Sequence, residues 1–418
     1  MEASKINEIL GITESFQMPE KLMALLISPA KDTMMERFLE LESDLSFDWF
    51  TDYFQEEHSN RNAFMQDYTP RELTKLLPML SDGYEKVLDV CAGIGGLTIG
   101  AWNHNPDAYF VCEELSERAL PLLLFNLSIR NMNGCVMRRD VLSGEIFEKY
   151  YLEKGDRFSS ITISTELIDE FENFDLIISN PPYSVRHEWD EVLPAYLQDY
   201  GAPPTKAADY AFVLYGLSKM KANGKMFVIL PHGVLFRGQR ESDIRKALLD
   251  RKQIRDVVGL PDKLFLNTQI PVCIMSFEKQ GSGNILMVDA SKHFEKNAKQ
   301  NRLREKDILK ISEAVNGRLN VDKYSRMVPL SEIIDNAYNL NIPRYVDTSE
   351  EEPLPDINEI FRNLADIETE IIKTQDELWK MLDDCVAQDV EDEKALKEIK
   401  KYFKKQKDKE NGQLIFDL

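Results

Sequence analysis

Short apolar runs alternate with longer amphipathic stretches through the middle of the chain. Runs with strand character fall at Lys86–Asp89, Tyr109–Glu113, Cys135–Arg138, Leu176–Ser179, Met226–Leu230, Asp256–Gly259 and Val272–Phe277. Helical periodicity lies between them, at Ser116–Arg130, Ala207–Lys221 and Glu241–Asp250. This alternation predicts an α/β fold, an open Rossmann-like sheet that is mostly parallel with helices on both faces. No helix fits the Leu260–Pro271 link between the last two strands, so the final strand is expected to run antiparallel. Before the alternating region, residues 1 to about 65 are rich in Met, Leu, Glu and Phe and read as a small helical region. Beyond a Glu/Pro-rich break near Glu350–Pro355, Ile357, Ile360, Leu364, Ile367, Ile371, Thr374, Leu378, Met381 and Cys385 recur at heptad spacing. That spacing predicts a coiled coil, or a long helix packed on its own domain. The expected division is therefore a helical region (1–75), an α/β domain (76–345), a long helix (346–409) and a tail (410–418).

Local signals refine this outline. Thr69-Pro70-Arg71-Glu72 reads as a helix start, with Thr69 as N-cap, Pro70 in the first helical position and Glu72 closing a capping box. The five cysteines form no Cys-x-x-Cys pair or zinc-like cluster, so no metal is expected and the thiols read as reduced. There is no signal peptide and no long apolar run, which predicts a cytoplasmic protein with no membrane contact.

Charge narrows the partners. With 72 acidic against 51 basic residues the chain carries −21, unfavourable for gripping nucleic acid unaided, because phosphate contacts need Lys and Arg. The best basic stretch holds Lys292, Lys296, Lys299, Arg302, Arg304, Lys306 and Lys310. A solvated helix face is the commoner reading of such a stretch; a nucleic-acid contact is the sharper one.

The chemistry concentrates at strand ends. Asp89-Val90-Cys91-Ala92-Gly93-Ile94-Gly95-Gly96 follows the first strand, where glycines let backbone approach a ligand. An acid before the loop and the missing third glycine of the dinucleotide fingerprint favour S-adenosylmethionine over a dinucleotide. Glu113 and Glu114 end the second strand, where a carboxylate can take both ribose hydroxyls; two solvated acids are the plainer alternative. Asp140 sits where a side chain can meet the cofactor's adenine, although an isolated turn aspartate is commoner. The helix start at Thr69-Pro70 offers free N–H groups to a carboxylate. After the fourth strand comes Asn180-Pro181-Pro182-Tyr183, with a side-chain carbonyl, a fixed backbone carbonyl and a flat ring. Together they suit the planar amine of a nucleobase or a glutamine amide. Phe236 is a possible second aromatic wall, with core packing the expected role.

On these residues the chain resembles the modification subunits of type I restriction–modification systems, which are N6-adenine DNA methyltransferases. The resemblance runs from about Asp67 to Arg344. It rests on Tyr68-Thr69-Pro70-Arg71-Glu72, Val87-Leu88-Asp89 with Gly93–Gly96, Glu114, Asp140 and Asn180–Tyr183. Further along it rests on Leu230–Phe236, Gly259-Leu260-Pro261 with Leu264-Phe265, Gln269–Ile274 and Lys299–Leu303. Generic Asn-Pro-Pro-Tyr methyltransferases lack these later segments. The resemblance implies that Asp67, Tyr68, Thr69, Pro70, Arg71, Asp89, Gly93, Ile94, Gly95, Gly96, Glu114 and Asp140 bind S-adenosylmethionine. It likewise implies that Asn180, Pro181, Pro182 and Tyr183 hold a flipped adenine of double-stranded DNA. Three departures stand out: Val90-Cys91-Ala92-Gly93 replaces Pro-Ala-Cys-Gly, Tyr183 stands where Phe is more frequent, and the N-terminal region is short.

No segment reads as a target-recognition domain. A separate specificity subunit, gripped by the heptad helix, is therefore the expected source of sequence choice. A second copy of the chain and a restriction subunit are further expected partners, and the tail Gln413–Leu418 resembles sliding-clamp peptides. Competing readings are a glutamine or ribosomal-RNA base methyltransferase, and a non-catalytic scaffold that keeps the fold.

Overall fold

The structure is a computed structural model that describes residues 3–51, 53, 69–81, 83–265, 270–297, 300–349 and 356–410. The chain divides into two compact units, Met1–Ser349 and Glu350–Leu418.

The first unit begins with α1 (Ala3–Leu10), α2 (Met18–Leu26) and α3 (Lys31–Leu41), followed later by α4 (Arg71–Met79). The alternating region then supplies β1 (Lys86–Val90), α5 (Gly96–His104), β2 (Tyr109–Glu114), α6 (Leu120–Ile129), β3 (Asn133–Arg139), β4 (Ile146–Glu153), β5 (Ser160–Ile163) and β6 (Phe174–Ser179). After these come α7 (Ala195–Gln198), α8 (Asp209–Lys219), β7 (Met220–Pro231), α9 (Arg240–Asp250), β8 (Ile254–Gly259), β9 (Val272–Phe277) and β10 (Ile285–Asp289). The unit closes with α10 (Glu305–Gly317), β11 (Ser325–Val328) and α11 (Leu330–Asp335).

Among the described residues these strands form one eleven-stranded sheet, ordered β11-β10-β8-β9-β7-β6-β1-β2-β3-β4-β5. Its centre, β3-β2-β1-β6-β7, is parallel throughout. Strand β9 is antiparallel to both of its neighbours, as the linker without a helix predicted. The seven expected strands are present. Four more extend the edges: antiparallel β4 and β5 at one side, and β10 and β11 at the other.

Register explains where a site must form. Val90 pairs with Glu113 on one side and with Ser179 on the other, so β1, β2 and β6 end level with one another. The chain leaves β1 toward β2 in one direction and returns through β6 in the other. A crevice opens at such a reversal, beyond the carboxyl ends of the strands.

The N-terminal helices share the sheet's core. Phe38, Trp49 and Phe50 surround Phe125 of α6, with ring centroids 4.8, 6.2 and 5.2 Å away. Edge-to-face arrangements of this kind stabilise beyond the area they bury. Helices α4 and α5 touch at Gly100, where an added Cβ would lie 1.9 Å from the Thr74 carbonyl oxygen. This contact ties the start of α4 to the helix that follows the glycine loop.

Two local expectations are corrected. Helix α4 starts at Arg71, with extended Pro70 as its N-cap and no side-chain capping bond. Thr69 does not cap it, because its hydroxyl is engaged by Asn180. Phe236 is 47% exposed, so it is not core packing.

The second unit contains α12 (Ile357–Asp384) and α13 (Val390–Glu410). Asp356 caps α12 by accepting from the Asn358 amide at 3.0 Å. Lys400 of α13 pairs with Asp383 at 2.8 Å. No residue of α12 is buried, and Ile357, Ile360, Leu364, Ile367 and Ile371 of its heptad stripe are exposed. Among the described residues no helix is long and apolar enough to cross a membrane.

Candidate active site

A cavity of about 640 Å³ occupies the crevice beyond β1, β2 and β6. Its size falls within the ordinary range for small-molecule sites. One wall is the glycine loop. Cys91, Gly93 and Gly95 all lie in the left-handed region, at φ 62°, 59° and 89°. Cys91 is the non-glycine among them, a strained position that the surrounding loop must hold. Gly93 faces the open space: an added Cβ there meets nothing within 4 Å. Gly95 faces inward, where an added Cβ would lie 2.8 Å from Leu123 of α6.

Glu114 anchors this wall. One carboxylate oxygen accepts from the Gly93 amide and the other from the Ser116 amide, each at 2.7 Å. The Leu115 amide adds to this backbone support of the carboxylate. Burial raises the Glu114 pKa, and the backbone bonds oppose that rise. Asp140 also lines the cavity, from a turn in which its side chain accepts from the Leu142 amide at 2.9 Å.

Glu113, the neighbouring candidate, is used internally. It pairs with Arg139 at 2.9 Å and accepts from the Tyr215 hydroxyl at 2.6 Å. Arg139 also pairs with Asp169 at 2.6 Å, and Lys219 reaches the same aspartate at 2.8 Å. Glu113 and Arg139 also border the cavity, but the Glu113 carboxylate is engaged by Arg139 and Tyr215, whereas Glu114 is held by backbone amides. The sequence showed Arg139 beside Asp140, but nothing in the spacing identified its partners.

The facing wall is Asn180-Pro181-Pro182-Tyr183, all four of which line the cavity. The Asn180 amide donates to the Thr69 hydroxyl at 3.1 Å, and its carbonyl oxygen accepts from the Tyr183 hydroxyl at 2.8 Å. The turn is held from behind by Asp209 of α8. That buried carboxylate accepts from the Ser184 amide at 2.9 Å and pairs with Arg237 at 3.0 Å. Phe265 packs edge-on to the Tyr183 ring with centroids 6.2 Å apart. Val185, His187 and Phe212 also line it and were not singled out from sequence, as does Ile270 of the Gln269–Ile274 segment.

Of the expected donor-binding residues, Thr69, Gly93, Ile94, Gly96, Glu114 and Asp140 line the cavity. Pro70, Arg71, Asp89 and Gly95 do not. The Arg71 guanidinium lies 4.0 Å over the Phe47 ring. Asp89 is buried beneath the loop and accepts from Thr98 at 2.6 Å. Its other oxygen has no partner, and burial pushes its pKa up to about 7. Asp67 and Tyr68 lie outside the described residues, as do Gln269, Lys299 and the tail Gln413–Leu418.

Sheet order, glycine loop and strand-end carboxylate together define the α/β fold of S-adenosylmethionine-dependent methyltransferases. More particularly, the N-6 DNA Methylase family profile matches residues 46–353, and the chain belongs to that family. It is 29% identical over 404 residues to the type I restriction enzyme MjaVII methylase subunit of Methanocaldococcus jannaschii, covering 90% of this chain and 65% of that one. Against the MpnII methylase subunit of Mycoplasma pneumoniae it is 26% identical over 339 residues, covering 76% and 59%. The chain thus spans about three-fifths of the length of these curated relatives. Among solved structures it is similar to a type I restriction-modification methyltransferase subunit from Streptococcus thermophilus. That match has a TM-score of 0.61 and 28% identity, covering 78% of this chain and 67% of that one.

Proposed function

We propose that this chain transfers a methyl group from S-adenosylmethionine to adenine N6 in DNA. In this reading it is the methylation subunit of a type I restriction–modification assembly. The observation that carries it is that one cavity is lined both by the glycine loop, Glu114 and Asp140 and by Asn180–Tyr183.

The residues fit the donor. Gly93 is open to the cavity, and the Glu114 carboxylate, which lines it, is aimed by the Gly93 and Ser116 amides. When bound, S-adenosylmethionine supplies an electrophilic methyl group. The chain's own task is to prepare the amine. Adenine's N6 lone pair is delocalised into the ring, and the carbonyls of Asn180 and Pro181 would accept hydrogen bonds from its two N–H groups, returning electron density to nitrogen. As the methyl–sulfur bond breaks and the methyl–nitrogen bond forms, the extra proton on nitrogen leaves to solvent. Fixed acceptors require no reorganisation during the reaction. Holding the two reactants in line removes a large entropic part of the barrier. The base first leaves the duplex at roughly a few kcal/mol, partly recovered by stacking on Tyr183. The Asn180 carbonyl has two lone pairs, so the amine shares it with the Tyr183 hydroxyl or takes its place.

Sequence choice in this reading comes from a separate specificity subunit. The exposed heptad stripe of α12 supports it, since 28 residues of helix offer roughly 42 Å of apolar seam. Such a partner also supplies positive charge that a chain of −21 lacks.

The test is Asn180→Ala. Transfer of label from S-adenosyl-[methyl-³H]methionine to DNA from a strain lacking this gene should fall at least a hundredfold, with donor affinity by calorimetry unchanged. Near-normal methylation by the variant would overturn the assignment.

A further inference from the structure

The link between β8 and β9 carries Phe265 to the Tyr183 ring without help from regular secondary structure. Its turn, Asp262-Lys263-Leu264-Phe265, includes Lys263 at φ 53°, a left-handed conformation unusual for lysine. Leu264 and Phe265 are buried, so the backbone carbonyls around them need partners.

Two adjacent side chains far along the sequence provide them. The Asn301 side-chain amide donates to the Asp262 carbonyl at 2.9 Å and to the Asp262 carboxylate at 3.1 Å. The Asn301 backbone amide donates to the Lys263 carbonyl at 2.9 Å. The Gln300 side-chain amide donates to the Leu264 carbonyl at 2.5 Å. Three successive carbonyls of one turn are thus taken by two consecutive residues. Asn301 is 5% exposed, and the pairing of Arg302 with Glu295, at 2.8 and 3.1 Å between backbones, fixes the segment that delivers it.

We propose that Gln300 and Asn301 are positioning residues for methyl transfer: they lock the turn Asp262–Phe265 so that Phe265 braces Tyr183 against the reacting amine. The proposal rests on the function assigned above to Asn180–Tyr183. The clamp acts on the acceptor wall only. Neither residue lines the cavity, and the donor wall is built from β1, β2 and β3.

Asn301→Asp tests this, because it keeps shape and volume but replaces the donating amide with an acceptor. In the full chain, purified with the specificity subunit proposed above, kcat/KM for DNA should fall at least tenfold. Donor affinity should stay within twofold, and amide hydrogen exchange at Lys263–Phe265 should accelerate. Gln300→Ala removes a half-buried side chain and should lower kcat/KM about threefold without loss of fold. Phe265→Leu should reproduce the Asn301→Asp defect, and the double variant should be no worse than the poorer single variant. A folded Asn301→Asp protein with parental turnover overturns the proposal, as do losses that multiply in the double variant. Should the parent itself fail to methylate DNA, the assigned function falls first. The clamp is then decided by hydrogen exchange alone: unchanged protection at Lys263–Phe265 in Asn301→Asp removes it.

Discussion

The two walls of the cavity are built by different means. The donor wall is local: the glycine loop and Glu114 lie within 24 residues of one another and are joined through backbone amides. The acceptor wall is assembled from afar. Asn180 is held by Thr69, Ser184 by Asp209, and Tyr183 by Phe265, which in turn depends on Gln300 and Asn301. A wall held by backbone tolerates side-chain change outside its few glycines and its carboxylates. A wall held by side chains from distant segments transmits changes made well away from the cavity. Donor binding and methyl transfer should therefore be separable by mutation.

The Asn180→Ala variant gives the widest separation, with transfer lost and donor affinity kept. Glu114→Gln should act in the opposite sense. It sets an amide donor against a backbone amide and removes the charge, so donor Kd should weaken by about 10- to 100-fold, equivalent to roughly 1.5–3 kcal/mol for a hydrogen bond to a charged group. Turnover at saturating donor should change less than about threefold, and equal losses in both would merge the two walls. Thr69→Val removes the hydroxyl that receives the Asn180 amide. Transfer should slow about fivefold, the loss of one hydrogen bond of roughly 1 kcal/mol, with donor Kd unchanged by calorimetry. A weakened donor Kd would instead place Thr69 on the donor wall. Tyr183→Phe removes the hydroxyl that occupies the Asn180 carbonyl while keeping the ring. KM for DNA should fall by up to about threefold, and a large rise would show that the hydroxyl itself serves the reaction.

The smallest effect concerns stability beneath the donor wall. Asp89 has its pKa raised from 3.8 to about 7 by burial, so between those values the folded state holds a proton that the unfolded state releases. Stability then falls as pH rises through that window. Asp89→Asn should abolish this slope, raising the melting temperature by at least about 2 °C at pH 8 and leaving it nearly unchanged below about pH 4. A gain at low pH alone would reverse the sign and refute the account.

This division also explains what could be read from the residues. The parallel centre of the sheet was legible because its strands are nearly continuous apolar runs. The glycine loop and the Asn180 turn were legible because each is contiguous. Strand β4 was not: Ile146–Glu153 carries charges, and its buried Lys149 is tolerated only because Glu170 and the Ile168 carbonyl meet it. Thr69 reads as a helix cap by every local rule, and only tertiary structure shows its hydroxyl turned toward Asn180. Asp89 reads as a ligand-facing acid because it precedes the loop, yet strand alternation directs it to Thr98 beneath. The acceptor wall's supports were out of reach for a simpler reason. No short-range pattern links position 180 to 69, or position 265 to 301.

The end of α12 has a practical consequence. Cys385 is exposed, whereas Cys112, Cys135 and Cys273 are buried and Cys91 is partly covered in its loop. Burial raises the pKa of all four of these enclosed thiols, which withholds the reactive thiolate. A thiol-directed fluorophore therefore finds a single ready address, beside the seam where a second subunit is expected. The native sequence thus offers a reporter for the proposed assembly, with no engineered cysteine required.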